Sequence, residues 1–388
     1  MAAIPDIPKL PDRPVVLVNA IPLVQVATGI CRYVRQVYAA LERRHGHDAR
    51  FLYFDGRTAA PVMPAPAAWS SRVELVRRLP TPLALAARLA LHARRELAFA
   101  RVLRRHHVDV YHETAFFPFR VPRGLPTVFT VHDLSLQRHP QWHPQERVLY
   151  GRMFFRRRLP SVTRFLSVSE FTARELTAWA GVAPERITVT PLAHDPVLFH
   201  VPDAARVAAV RAQYRLPERF FLFLGSGDPR KNVAIIPRAM AHAGLETPVV
   251  AVGWRGWDDP ASHGRVRSLG FVPDADLAAL YAAALALVYP SRYEGFGLPV
   301  LEAMACGCPV VTTRTASLPE AGGDAALYLD SPDDATSLGS LLRRLAGDDA
   351  LRARCRTKGL AQAARFSWDR TADATWEALA EAVSPSPV

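Results

Sequence analysis

Two glutamates with seven residues between them, Glu294 and Glu302, stand in a stretch that also carries Gly295, Gly297, Pro299, Gly307 and Pro309. Glycines permit tight or positive-φ backbone, proline suits a first helical turn, and glycine followed closely by proline ends a helix. The pattern predicts a strand ending near Tyr289 and a short helix over residues 299–306. Glu294 falls in the loop before that helix and Glu302 about one turn inside it. Both carboxylates can then face one pocket, with the amides around Gly295, Phe296, Gly297 and Leu298 between them. The start of such a helix, at the carboxyl edge of an open sheet, is where a diphosphate is stabilised. Carboxylates accept hydrogen bonds from vicinal hydroxyls, which a nucleotide sugar offers on both its sugar and its ribose.

A second candidate follows the apolar run at Phe220: Gly225-Ser-Gly-Asp-Pro-Arg-Lys-Asn232. The full dinucleotide fingerprint is absent, because no third glycine follows at the right spacing. Arg230 and Lys231 at a strand-to-helix turn are placed to neutralise charge on a departing diphosphate. Three further signals lie earlier in the chain. Thr28-Gly-Ile-Cys-Arg-Tyr33 opens a helix after the first strand, with Gly29 open to close backbone approach. Thr130-Val-His-Asp-Leu134 puts His132 and Asp133 at a strand end, and Ser167-Val-Ser-Glu170 repeats the arrangement, with helix capping as its simplest account.

Seven short runs rich in β-branched and aromatic residues position these groups: 15–20, 127–132, 164–169, 220–225, 248–253, 285–289 and 309–313. Most precede segments of helical period, so the chain reads as α/β with parallel sheets and crossover helices. A length of 388 residues accommodates two domains. The break between Leu192 and Arg219 sets their boundary near 205, giving domains over 1–204 and 205–370 and a tail over 371–388. Residues 60–69, rich in Pro and Ala, read as a loop. The four cysteines include one close pair, Cys306 and Cys308, with no second ligand cluster beside it; no disulfide framework, metal site or cofactor is expected. No apolar run is long enough for a membrane span or a leader-peptide core, and a cytoplasmic location is expected.

At these residues the chain resembles the retaining GT-B glycosyltransferases of family four, many of them mannosyltransferases of bacterial surface polysaccharide assembly. The likeness runs through the segments 28–33, 130–133, 167–170, 225–232, 294–302, Ser317-Leu-Pro-Glu-Ala-Gly322 and Phe366-Ser-Trp368. It implies two Rossmann-like domains with parallel sheets facing a central cleft, the first binding the acceptor and the second the nucleotide-sugar donor. By the same resemblance Glu294 takes the transferred sugar's hydroxyls, Glu302 the ribose, and Arg230 and Lys231 the diphosphate. Gly29 and Gly225 line the donor, His132 stands near the reacting carbon, and the last helix crosses back to the first domain. Two positions depart from the pattern: Cys31 replaces a second glycine, and Ser226 stands where some relatives carry arginine.

The implied reaction moves a hexose, with GDP-mannose the first expectation and UDP- or dTDP-linked sugars the alternative, to a glycan or lipid-linked acceptor without a metal. A phosphorylase-like enzyme needs a lysine-bound pyridoxal, and only Lys9, Lys231 and Lys358 are present. A non-catalytic sugar-nucleotide module conflicts with the intact pair Glu294 and Glu302. Residues 1–200 hold 28 Lys and Arg against 15 Asp and Glu, a net of +13, leaving −1 for the remainder. Nucleic-acid motifs are lacking, so the basic half is read as a peripheral contact with an anionic membrane, through arginine clusters at 72–105 and 147–164.

Overall fold

Runs that are buried on both faces need no alternation, and the strands of this protein are nearly continuous in apolar residues for that reason. In the computed structural model, which describes residues 13–25, 29–65, 80–253 and 266–383, the chain forms two units. The first comprises residues up to Pro191 together with the chain from Trp368 onward, and the second runs Leu192–Ser367.

The first unit holds β1 (Val15–Asn19), β2 (Arg50–Phe54), β3 (Ala59–Ala60), β4 (Val110–Glu113), β5 (Thr127–Val131), β6 (Arg164–Ser167) and β7 (Ile187–Val189). They form one sheet in the order β3-β2-β1-β4-β5-β6-β7, parallel except for the β2–β3 pair. Helices α1 (Gly29–His45), α2 (Thr81–Arg105), α3 (Gln145–Arg158) and α4 (Glu170–Ala180) cover it. One core cluster joins Leu17, Phe54 and Tyr111 to Phe99 and Val102 of α2. Another joins Phe129 and Phe165 to Phe155 of α3 and Leu176 of α4. The terminal helix, Trp368–Val383, packs beside α1, where Arg44 pairs with Asp373 at 2.6 Å and Thr371 donates to the Pro191 carbonyl at 2.5 Å.

The second unit holds β8 (Phe221–Leu224), β9 (Val249–Val252), β10 (Val266–Gly270), β11 (Leu287–Tyr289), β12 (Val310–Thr313) and β13 (Leu327–Leu329). Their order is β10-β9-β8-β11-β12-β13, all parallel. Helices α5 (Ile235–Ala243), α6 (Asp274–Ala283) and α7 (Leu298–Ala305) belong to it. In both sheets the strand order reverses beside the first strand, between β1 and β4 and between β8 and β11. The crevice outside the carboxyl ends of those strands is where doubly wound folds bind ligands.

All seven runs read from the sequence are strands here. The six others are short, lie at edges or carry polar residues, as β10 does with Val-Arg-Ser-Leu-Gly. The unit boundary lies at Pro191 and Leu192 rather than at 204 and 205. The Pro-bearing segment is already packed into the second unit, with Leu192 and Ala193 buried and Phe199 edge-on to Tyr281 of α6. The return to the first unit likewise comes at Trp368 rather than 371, because Trp368 is buried near Tyr33 of α1. Of the loop read over 60–69, Ala60 closes β3 and residues 66–69 lie outside the described residues, as do Thr28, Arg72, Arg77 and Arg78.

Candidate functional site

The loops that follow β8 and β11 flank the reversal of strand order in the second unit. Gly225 follows β8, and a Cβ there would meet the Phe223 ring at 3.3 Å and the Lys231 stem at 3.6 Å. Gly253, at φ +128, lets the backbone at Gly225 approach so closely that a Cβ would lie 2.4 Å from the Gly225 carbonyl oxygen. Asp228 accepts from the Arg230 amide at 3.1 Å and starts a single turn over Pro229–Lys231. Asn232 closes that turn in the left-handed region, at φ 55, and its amide donates to the Pro332 carbonyl at 2.6 Å. The Arg292 amide donates to the Arg230 carbonyl at 2.8 Å, which ties the two loops together.

Tied in this way, the loops bring Arg230, Lys231 and Glu294 into one cluster. Lys231 Nζ lies 2.6 Å from Glu294 Oε1, and Arg230 Nη1 lies 2.9 Å from Oε2. Tyr289 and Ser291 hydroxyls also donate to Oε1, at 2.9 and 2.5 Å. Arg230 reaches Asp228 through Nε at 3.3 Å and the Tyr293 carbonyl at 3.1 Å. The basic pair is therefore no solubility feature, since the Arg230 and Lys231 side chains are only 19% and 11% exposed. Burial alone pushes the Glu294 carboxyl up, but the Lys231 and Arg230 charges and the bonds from Lys231 and Ser291 bring it down to about 2. Burial pulls the Lys231 ammonium below the ordinary lysine range; Glu294 opposes that shift and Arg230 adds to it. The glutamate is ionised at neutral pH, and two cations are held in a site largely shielded from water.

Glu302 lies on α7, as its spacing predicts, though the helix begins one residue earlier than expected, at Leu298. Gly297 precedes it at φ +106, where a side chain is strained, and Gly307 follows at φ +73. Glu302 is buried and accepts from the Tyr281 hydroxyl of α6 at 3.2 Å. Ser317 donates to the Glu294 carbonyl at 2.8 Å and fixes the loop that carries Gly295, while Phe296 packs edge-on against Phe366.

In the first unit, three of the motif segments converge on Tyr33. Its hydroxyl pairs with Thr130 at 2.9 Å, its ring meets His132 edge-on at 4.9 Å, and Trp368 lies 6.3 Å away. His132 Nε2 donates to the Thr114 carbonyl at 2.8 Å, which leaves Nδ1 as an acceptor, and burial lowers its pKa so that the ring is neutral. His112 continues the chain, bonded to Thr130 at 2.8 Å and to Tyr38 at 2.5 Å. Asp133 accepts from the Ser135 amide and hydroxyl. Ser169 caps α4 by accepting from the Thr172 amide at 3.1 Å, so that segment does the capping its sequence suggests. Gly29 is the exposed first residue of α1.

Sequence reasoning placed Asn232 and Ser317 in motif segments and Tyr289 and Gly253 at strand ends without giving them a role, and it gave none to Tyr281 or Ser291. Only the φ-demanding Gly253 leaves a local signal, a glycine closing an apolar strand.

The family model described as Glycosyltransferase Family 4 matches residues 27–198, and that described as Glycosyl transferases group 1 matches residues 209–362. The chain is 38% identical over 304 residues to the O-antigen chain mannosyltransferase B of Escherichia coli, covering 74% of this chain and 77% of that one. It is 29% identical over 242 residues to the serotype-specific mannosyltransferase WbdA of Escherichia coli, spanning 57% of this chain but 29% of that longer protein. Among solved structures it superposes on WaaG, a glycosyltransferase involved in lipopolysaccharide biosynthesis, with a TM-score of 0.67 at 17% identity, over 94% of this chain and 99% of that one. The chain is a GT-B glycosyltransferase and belongs to family four.

Proposed function

We propose that this enzyme transfers mannose from GDP-mannose, with retention and without a metal, to a glycan or lipid-linked acceptor in surface polysaccharide assembly. The observation that carries the reading is the Arg230–Glu294–Lys231 cluster at the reversal of strand order. The name of the mannosyltransferase to which the chain is 38% identical supports the sugar. Glu294 Oε1 already accepts three hydrogen bonds, whereas Oε2 accepts one and keeps capacity for a sugar hydroxyl. Glu302 takes the ribose, and the amides from Gly295 to Leu298 receive the donor phosphates.

In the proposed step the bond from the anomeric carbon to the diphosphate oxygen breaks while the acceptor oxygen bonds the same face of that carbon. The acceptor's proton passes to the departing diphosphate, so no protein base is required. Arg230 and Lys231 stabilise the charge that develops on the leaving group, where preorganised cations act most strongly. His132 Nδ1 accepts a hydroxyl of the transferred sugar.

The first unit is assigned the acceptor. A cavity of ≈ 60 Å³ lies at the ends of β1 and β4, lined by Asn19, Arg95, Glu113 and Tyr150, with the exposed Phe116 ring beside it. Peripheral contact with anionic lipid is assigned to α2, where Leu83, Arg94, Leu97, Arg101 and Arg104 are exposed on one helical face. Other members of the arginine clusters are engaged elsewhere: Arg88 pairs with Glu146, Arg158 with Glu96, and Phe154 and Phe155 pack inward. No helix among the described residues is long and apolar enough to cross a membrane.

The test offers GDP-, UDP- and dTDP-linked sugars to the enzyme in EDTA with a mannose-terminated acceptor, and reads the product's anomeric configuration by NMR. An α-mannoside formed from GDP-mannose in EDTA is the expected result. Activity that requires magnesium or manganese, or a preference for UDP-glucose, overturns the corresponding part of the assignment.

A further inference from the structure

The last residue of β11 puts a phenol at the centre of the charged cluster. Tyr289 is 1% exposed, and its hydroxyl lies 2.5 Å from Lys231 Nζ and 2.9 Å from Glu294 Oε1. With the 2.6 Å contact between Nζ and Oε1 these three groups close a ring. The directions within it are determined by chemistry: an ammonium only donates and an ionised carboxylate only accepts. The phenol must therefore accept from Lys231 and donate to Glu294. Burial and the nearby Glu294 keep its proton on, well above the ordinary tyrosine range. A buried strand end needs bulk at this position, but phenylalanine would supply the same bulk. The hydroxyl adds only the connection between the cation and the carboxylate.

We propose that Tyr289 is a positioning residue for glycosyl transfer, its hydroxyl holding the Lys231 ammonium and the Glu294 carboxylate in register beneath the donor. The proposal rests on the donor-site reading above. Lys231 spends two of its three N–H groups on Tyr289 and Glu294 and keeps the third for a diphosphate oxygen. Without the phenol, Glu294 is its one remaining partner in the ring, and the ammonium is drawn toward the carboxylate and away from the leaving group. A lone pair on the phenol also favours the charged form of Lys231. The other charged or titratable groups acting on that ammonium are Asp228 and Arg230 from its own loop and Glu294 from the loop after β11. All of them remain when the hydroxyl is removed.

Tyr289→Phe is the deciding variant, with Lys231→Ala and Tyr281→Phe beside it. In Tyr289→Phe we expect kcat to fall about tenfold at neutral pH, the loss expected for one hydrogen bond to a charged group, with a roughly unchanged KM for GDP-mannose. The alkaline limb of kcat moves to lower pH, because Lys231 loses its proton more easily, so the deficit grows as pH rises. The position of that limb does not depend on how much of the variant is folded. Tyr281→Phe removes a hydroxyl bonded to Glu302 and leaves the limb where it is in the wild type. A uniform loss in Tyr289→Phe with an unmoved limb, or no loss at all, overturns the proposal while leaving the donor site intact. Retained turnover in Lys231→Ala overturns the donor-site reading, and the positioning role with it.

Discussion

At the reversal of strand order in the second unit, a carboxylate that is 6% exposed is held between two cations. Beside β4 and β5 in the first unit, His112, Thr130 and the Tyr33 and Tyr38 hydroxyls are joined in a chain of neutral groups. The two sheets share the reversal of strand order beside their first strand, but these two clusters differ in how they hold polar groups out of water. A neutral chain costs little to bury once every member is bonded. A buried ion trio is costly unless its geometry is good, and it keeps unscreened charge ready for a ligand. Preorganised charge therefore marks the cluster assigned to the leaving diphosphate, and a fixed tautomer marks His132 in the first unit.

The largest effect is expected from Arg230→Ala with Lys231→Ala, which takes the cations from that comparison. Loss of a single preorganised donor costs roughly a hundredfold to a thousandfold, so the double variant should fall by about a thousandfold or more in kcat. Single-turnover kinetics with GDP-mannose, on protein whose melting temperature has been checked, measures it. A loss below tenfold would mean that charge at this site does not serve the leaving group.

Next comes Glu294→Gln, which keeps the shape and removes the charge. A kcat loss of about a hundredfold is expected, because a neutral amide cannot order the cations and the sugar hydroxyl together. Its stability signature has a definite sign. The folded carboxyl titrates at about 2, below its ordinary value of 4.5, so its stabilisation is complete above pH 4.5 and is lost as pH falls toward 2. The stability gap between wild type and Glu294→Gln should therefore narrow on acidification, by up to about 3 kcal/mol. Urea unfolding at pH 5.5 and pH 3 measures the gap. Thr130→Val in the first unit provides the contrast: it leaves Tyr33 and His112 each short of a partner and should cost about 1–3 kcal/mol at both pH values. Equal acid sensitivity of the two variants would erase the distinction between the units.

A smaller change is expected from Glu302→Ala, which should raise the donor KM and weaken GDP binding by about 1–3 kcal/mol while kcat changes little. Calorimetry with GDP checks it, and unchanged affinity would remove the ribose from Glu302. The legibility of this site in the sequence was uneven. The loop around Glu294 and Glu302 could be read because Gly297, Pro299 and Gly307 each answer a local backbone demand. Tyr289, Ser291 and Ser317 could not, because their hydroxyls matter only through partners that tertiary packing supplies. That Glu294 lies between Arg230 and Lys231 was equally hidden, since the 63 residues separating Lys231 from Glu294 are closed only by the pairing of β8 with β11. In the fold, buried apolar strands such as β1 and β5 announced themselves. Edge strands such as β10 and β13 did not, because β10 carries polar residues at its half-exposed positions and β13 is only three residues long.

The smallest effect concerns the exposed arginine-bearing face of α2 in the first unit. On α2, Arg94, Leu97, Arg101 and Arg104 recur at helical spacing and are all exposed, with Leu97 60% exposed. Such a face offers guanidinium groups to lipid phosphates and a leucine to the headgroup boundary, each cation contributing about 1 kcal/mol near an anionic surface. Replacing Arg94 and Arg101 by Gln should therefore weaken sedimentation with phosphatidylserine vesicles by roughly tenfold to thirtyfold at low salt. The difference should shrink at high salt, where the attraction is screened. Transfer of mannose to a water-soluble acceptor should be unaffected, because neither arginine belongs to the donor cluster. Recovery of both proteins in the supernatant, with anionic and zwitterionic vesicles alike, would remove lipid as the partner of this face. The basic half would then have to be read through its acceptor, beginning with Arg95 at the cavity beside β1 and β4.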